Sequence, residues 1–469
     1  MRRIHRRALV AAALGLALTV TAAPAQAVGA VDPYYPEDGN AGYDVADYDV
    51  RIAYDPAQPD RLNGDTTVTA RALRPLERFS LDLKGFQVAS VTVNGAPAKA
   101  FSRSGAHKLD VEPARRVSGG SVFRVRVVYA GKPDPEGWHR LASGGVNAMG
   151  EPHSATSWFP SNDHPSDKAT FSLAATVPDG WTAIGNGVPG PTTAGGGTTT
   201  FRWREDRPMA TYLATVAVDR FTVHRSALPD GTPVITAFGA GLPVDADALA
   251  AEAQQPEILA FLASKFGPYP FSSAGAIVRS WPTEPGGGAP DLETQGRPTY
   301  TGILWDAAIV HENAHQWFGD SVSFTDWRDG CIAECVAQYA NQLWDEHQGA
   351  NLDTGFYARN VKENLGNPSY WSTRLYDPGR GDELAPALYL KGSLMMHALR
   401  RTVGDEAFFG TLRRWTAEHA YGNASFPQFE ALAAKVSGRD LKGFFDAWAH
   451  GTTVPAKEYL YPGSLAPLG

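Results

Sequence analysis

From about Ala30 to Gly239 apolar and polar residues alternate in short runs, among them YDVRIAYD, DTTVTARAL, VFRVRVVYA, ATFSLAATV, TTTFRWRED, ATYLATVAV and TPVITAFG. Alternation with period two is the pattern of strands that bury one face. Asn63-Gly64 and Asn94-Gly95, dipeptides that tolerate positive φ, predict hairpin turns between such strands. The region therefore predicts an all-β, sandwich-like and saddle-shaped domain. Near Leu242 the pattern changes. DADALAAEAQQPEILAFLASKFGPYPF reads as a helix stopped by Gly-Pro-Tyr-Pro. A strand, GAIVRSW, and a glycine-rich loop, EPGGGAPDLETQGRPTY, come next, and helical segments continue to about Thr453. The expectation is an α+β multidomain chain: a β domain over 28–239, a mainly helical domain over 240–455 and a C-terminal tail over 456–469.

The first 27 residues stand outside this fold. MRRIHRRALVAAALGLALTVTAAPAQA has four arginines, an apolar run from Ala8 to about Ala23, and a small-residue end at Ala25-Gln26-Ala27. That is the composition of a signal peptide cleaved after Ala27, and the run falls short of the ~20 residues of a membrane span. A secreted, soluble protein is expected, exported by the general or the twin-arginine route. Losing the four arginines takes the formal charge from −8 to −12. An acidic chain repels nucleic acid, so no polyanion partner is expected, and a monomer is.

The candidate chemistry lies in HENAHQWFGDSVSFTDWRDGCIAE, from His311 to Glu334. On a helix His311 and His315 share one face, so both imidazoles can reach one ion, and Glu312 projects beside them as a base for water. A catalytic Zn²⁺ site takes three protein ligands and keeps one position open. Glu334, separated from His315 by eighteen residues and in a second helical pattern, is the expected third ligand. Cys331 and Cys335, the only cysteines, are a poor disulfide framework for a chain of this size. They are expected to pack as thiols, with replacement of Glu334 in the ligand set as the lesser alternative.

HENAHQWFGD, then DW, then AECVAQY resembles the gluzincin, aminopeptidase N-like metallopeptidases, whose pattern is HExxHQWFG with a glutamate ligand in WLNEGFA. In place of that second motif stand Cys331, Ile332, Ala333, Glu334, Cys335, Val336 and Ala337. WFPSNDHPSDKATF, from Trp158 to Phe171, is also similar to a segment of that family's N-terminal domain. Read alone, this Pro- and His-rich stretch is equally a structural Ω-type loop. The resemblance implies a saddle-like β domain followed by a thermolysin-like zinc domain, without the long C-terminal domains of larger members. It further implies that Glu293, with Leu292 in a remnant of a Gly-Ala-Met-Glu-Asn strand, binds the substrate's α-amine. Glu151 is implied to help, although Met149 replaces the family's glutamine and Thr294 its asparagine. Tyr389, in the Tyr-x-Lys-Gly motif with Lys391 and Gly392, is implied to donate to the oxyanion. The function implied is a zinc aminopeptidase acting on peptide N-termini. A thermolysin-like endopeptidase and an inactive zinc-stabilised binding protein are the alternatives.

Overall fold

The computed structural model describes residues 31–283 and 290–468; the expected signal segment and part of the glycine-rich loop lie outside the described residues. The β domain is built on a nine-stranded sheet around Tyr43–Tyr54, which runs antiparallel to Leu62–Ala72 and parallel to Ala169–Pro178. Tyr43, Val45, Tyr48, Val50, Ile52 and Tyr54 all face the core. A register shift between Val45 and Asp47 keeps the first two in phase with the rest, as a bulge does. Trp158 packs edge to face on Phe159 and Phe171 within the same core.

Two turns expected from Asn-Gly pairs fare differently. Asn94 and Gly95 have φ of 51° and 81° and do reverse the chain. Asn63-Gly64 lies inside the strand Leu62–Ala72 instead, with Gly64 opposite Ile52 and Tyr129. A Cβ on Gly64 would meet the Tyr129 ring at 2.0 Å, so the glycine admits a close side chain rather than a turn. ATYLATVAV is also not one strand: Thr211–Leu213 forms a 3₁₀ turn and the strand is Val216–Asp219.

The boundary expected at 239 also moves. Thr222–Ala227 and Pro233–Phe238 form one sheet with Ala274–Arg279 and Thr299–Thr301. Pro233–Phe238 runs parallel to Ala274–Arg279 and is buried from Val234 onward, as a sheet covered on both faces requires. Alternation reveals strands but not the sheet they join. α1 (Ala246–Phe266) and α2 (Asp306–Ala314) reach this sheet through Gln255 on Gly275 O and Asn313 on the Tyr300 hydroxyl, while α3 (Cys331–His347) packs on α2 and α4 (Pro386–Val403) on α3. Gly392 lets α4 close on α3, since a Cβ there would lie 2.3 Å from the Cys335 sulfur. Among the described residues no helix is long and apolar enough to cross a membrane.

The two domains are locked together by buried cations on backbone carbonyls. Lys168 donates to Asp320 O at 2.6 Å and Ser321 O at 3.0 Å. Burial lowers its pKa to about 7. Arg297 donates to Gly187 O at 3.1 Å and lies over the Trp203 ring. The lead segment adds Asp32, which accepts from Trp327 N at 3.0 Å, and Tyr34, whose hydroxyl donates to Asp377. The segment expected as a tail is packed rather than loose: Leu460 and Leu465 are buried, and Tyr357 donates to Leu460 O.

Candidate metal centre and substrate cleft

α2 buries Ala308, Ile309, Val310, Asn313 and Ala314, which leaves His311 and His315 on the face toward α3. The helix ends at Ala314 and His315 is its C-cap, with φ −57° and ψ −26°. His315 Nδ1 donates to Phe318 O at 3.0 Å, which fixes the ring and leaves the Nε2 lone pair free. α3 presents Glu334 in its first turn. The cysteines flanking that residue are joined as a disulfide, Cys331–Cys335, with Cα atoms 4.8 Å apart. This corrects the expectation of packing thiols, and it leaves neither sulfur available as a metal ligand. A pair at i and i+4 is too local to brace a chain of this size, yet a helix brings it within bonding reach.

His311 Nε2 and His315 Nε2 are 3.2 Å apart, and Glu334 Oε2 lies 3.4 Å from each. Zinc bonds of about 2.0–2.1 Å in tetrahedral geometry place ligand atoms about 3.3–3.4 Å apart, so this triangle fits the ion. Its chemistry fits as well: two imidazoles and a carboxylate, with Glu334 Oε2 buried and lacking a hydrogen-bond partner. Burial works against the Glu334 anion, yet His315 and His311 hold its carboxyl well below the usual range. Burial lowers His311. His315, despite burial, is pushed up by Glu334, Glu293 and Glu312. These carboxylates favour a positive charge at this point, whether a proton on His315 or a metal ion.

Glu312 is 7% exposed, and burial pushes its carboxyl well above the usual range, with Glu293 adding to the shift and His315 opposing it. Tyr389, in the first turn of α4, stacks on His311 with ring centroids 5.8 Å apart. Burial and then the Glu334, Glu151 and Glu293 carboxylates raise its pKa, so it remains a phenol and can donate. Lys391 has a different duty. It donates to Thr373 O and Gly451 O, both at 2.8 Å, and so holds the chain around the start of α4.

Glu293 sits beside Leu292, which bridges to Thr299 and so leaves a remnant of a strand at the sheet edge. Gln316, just past the second histidine, pins this stretch from below. It donates to Glu293 O at 3.0 Å and accepts from Gly296 N at 2.7 Å. Tyr212 donates to Glu293 Oε1 at 3.2 Å. Sequence reading missed Tyr212, because it assigned ATYLATVAV to a strand and no motif marked the tyrosine. The strand Val146–Ala148 leads into Met149 and then Glu151. Burial, then Glu293 and Glu334, push the Glu151 carboxyl well above its usual range, which places it in the same cluster. Met149 is buried in the glutamine's place and offers its carbonyl to His139 Nε2. Thr294 spends its hydroxyl inside its own turn, donating to Arg297 O at 2.6 Å.

The seven expected site residues therefore come together, drawn from both domains. Comparison with known proteins gives the family. Residues 304–448 match the peptidase family M1 domain, and residues 45–213 match the peptidase M1 N-terminal domain. The M1 zinc metallopeptidase of Deinococcus radiodurans superposes with a TM-score of 0.83 at 30% identity, over 93% of this chain and 100% of that one. The chain belongs to peptidase family M1. An aminopeptidase N of Streptomyces lividans is 26% identical over 78% of this chain and 45% of its own length. A probable M1 family aminopeptidase of Encephalitozoon cuniculi is 23% identical over 64% of this chain and 38% of its own. This M1 chain thus spans less than half the length of those curated relatives, but all of the Deinococcus structure. Membership implies zinc as the cofactor, and the ligand triangle accommodates it.

Proposed function

We propose that the protein is a secreted zinc aminopeptidase that removes N-terminal residues from peptides. The observation that carries this reading is the position of Glu293. A buried carboxylate held by Tyr212 stands next to the His311, His315 and Glu334 triangle. When bound there, zinc supplies a Lewis acid that polarises the scissile carbonyl and eases deprotonation of water near neutral pH. Glu293, with Glu151 in support, pairs with the substrate's ammonium and sets the first peptide carbonyl over the triangle. A closed carboxylate cleft of this kind disfavours chains that continue past the amine. Glu312 takes the proton from the attacking water and passes it to the leaving amine. Burial disfavours its anion, which suits a group that accepts a proton and hands it on. The Tyr389 phenol donates to the oxyanion.

The Tyr-Ser-Ala substrate described for a mutant of the Deinococcus protein, a structure with TM-score 0.82 to this one, supports short peptides as the substrate class. Loss of the family's glutamine and asparagine at Met149 and Thr294 favours a second reading, an endopeptidase with a loosened amine grip. Initial rates on free and N-acetylated peptides, with chelator and zinc add-back, separate the two. Chelator-sensitive cleavage of free substrates alone is expected; equal cleavage of acetylated ones would establish the endopeptidase. The disulfide supports export, since such bonds persist in oxidising compartments. Protein recovered from culture medium should begin at Val28; full-length protein retained in the cell would contradict this.

A further inference from the structure

The cleft continues away from Glu293 with a chemistry of its own. A cavity of about 550 Å³ opens at His311, Glu312 and Tyr389 and follows α3 past Gln338, Asn341 and Gln342 to Asp345. With a rise of 1.5 Å per residue, Asp345 lies about 16 Å along the helix from Glu334. Asp291 and Asp306 line the side toward α2, and Trp305, 52% exposed, adds an aromatic face. Asn341 contributes a buried side-chain oxygen without a hydrogen-bond partner. Among the described residues no lysine or arginine lines this space. Its walls thus offer acceptors and negative charge, and an occupant must supply the donors. Glu293, Glu151 and Tyr212 do not line it.

The next step rests on the aminopeptidase reading. With the ammonium at Glu293 and the first carbonyl at the ligand triangle, the leaving part of the peptide runs past Glu312 and Tyr389 into this cavity. We propose that the cavity selects leaving peptides that carry lysine or arginine within their first three residues. An extended chain advances about 3.3–3.6 Å per residue, so three residues with a long side chain reach Asp345. Cationic side chains pair with Asp291, Asp306 or Asp345, and the exposed indole of Trp305 adds a face on which a guanidinium stacks. Acidic leaving residues are repelled. Because the cavity is open to water, the preference is moderate and sensitive to salt.

The test uses the full zinc-loaded enzyme and pentapeptides with N-terminal alanine that differ only at the fourth residue, the third of the leaving part, Arg or Glu. At low salt kcat/KM for the Arg peptide should exceed that for the Glu peptide about fivefold, and the ratio should shrink in about 0.5 M NaCl. Asp345→Asn should at least halve the ratio while leaving alanyl-coumarin cleavage unchanged. Asp345 is exposed on α3, so this variant folds. Equal rates for the two peptides at low salt would overturn the proposal, as would a ratio unaltered by Asp345→Asn together with Asp306→Asn. Absence of alanyl-coumarin cleavage by the wild type would overturn the aminopeptidase reading, and this proposal with it.

Discussion

The ligand triangle and the side of the cleft proposed to bind the amine lie next to each other and are built in opposite ways. The triangle comes from α2 and α3, two helices joined by sixteen residues. Its geometry follows from helical spacing plus one turn, and the Cys331–Cys335 bond braces the first turn of α3 around Glu334. The amine side is assembled from distant stretches. Tyr212 and Glu151 come from the β domain, Glu293 from a sheet-edge remnant, and Gln316 from the turn after α2. Its geometry depends on the contacts that lock the domains, Lys168 on Asp320 O and Arg297 on Gly187 O among them. On the proposed function, reactivity is set by local structure and selectivity for free N-termini by tertiary structure, so mutations should separate the two.

The largest effect is expected from Glu312→Gln. Turnover should fall by about 10²–10⁴ with zinc still bound at one per chain, read by metal analysis alongside kcat. Tyr389→Phe should lower kcat by about 10²–10³, with KM nearly unchanged, because the hydroxyl acts on charge that develops in the transition state. Tyr212→Phe removes one hydrogen bond from Glu293 and should raise KM for free peptides about 2–10-fold, with kcat little altered. If it lowered kcat and left KM alone, Tyr212 would belong to the chemistry rather than to the grip.

The smallest effect lies within the β domain. His153 pairs with Asp38 at 2.8 Å and with Glu136 at 3.2 Å. Burial lowers its pKa, but those carboxylates outweigh burial and raise it from 6.5 to about 10. The folded state therefore holds this proton more tightly than the unfolded chain. The pair's contribution is fully present below about pH 6.5 and is lost as pH rises through about 10. His153→Gln should lower the melting temperature at pH 6 and cost progressively less toward pH 10. A constant loss across that range would assign His153 a packing role instead.

The same contrast explains what was legible in the sequence. His311, Glu312, His315 and Glu334 could be read from spacing and donor chemistry alone. Tyr389, Glu293 and Glu151 rested on resemblance, because no local periodicity brings α4, a sheet-edge remnant or a β-domain loop to Glu312. Tyr212 carried no signal at all: its role exists only once Thr211–Leu213 turns the chain toward Glu293. The fold shows the same limit. Alternation located most strands but could not assign Pro233–Phe238 to the catalytic domain's sheet, and Asn63-Gly64 mimicked a turn where Tyr129 required a bare backbone.

The division between a local reactive centre and an amine grip assembled across domains is tested most directly by Glu293→Gln. The measurement is the ratio of kcat/KM for a free peptide to that for its N-acetylated form, in wild type and variant at matched zinc content. A large ratio in the wild type that collapses in the variant, with zinc still one per chain, is the expected result. A ratio that survives the substitution would place the selectivity elsewhere and contradict the role given to Glu293.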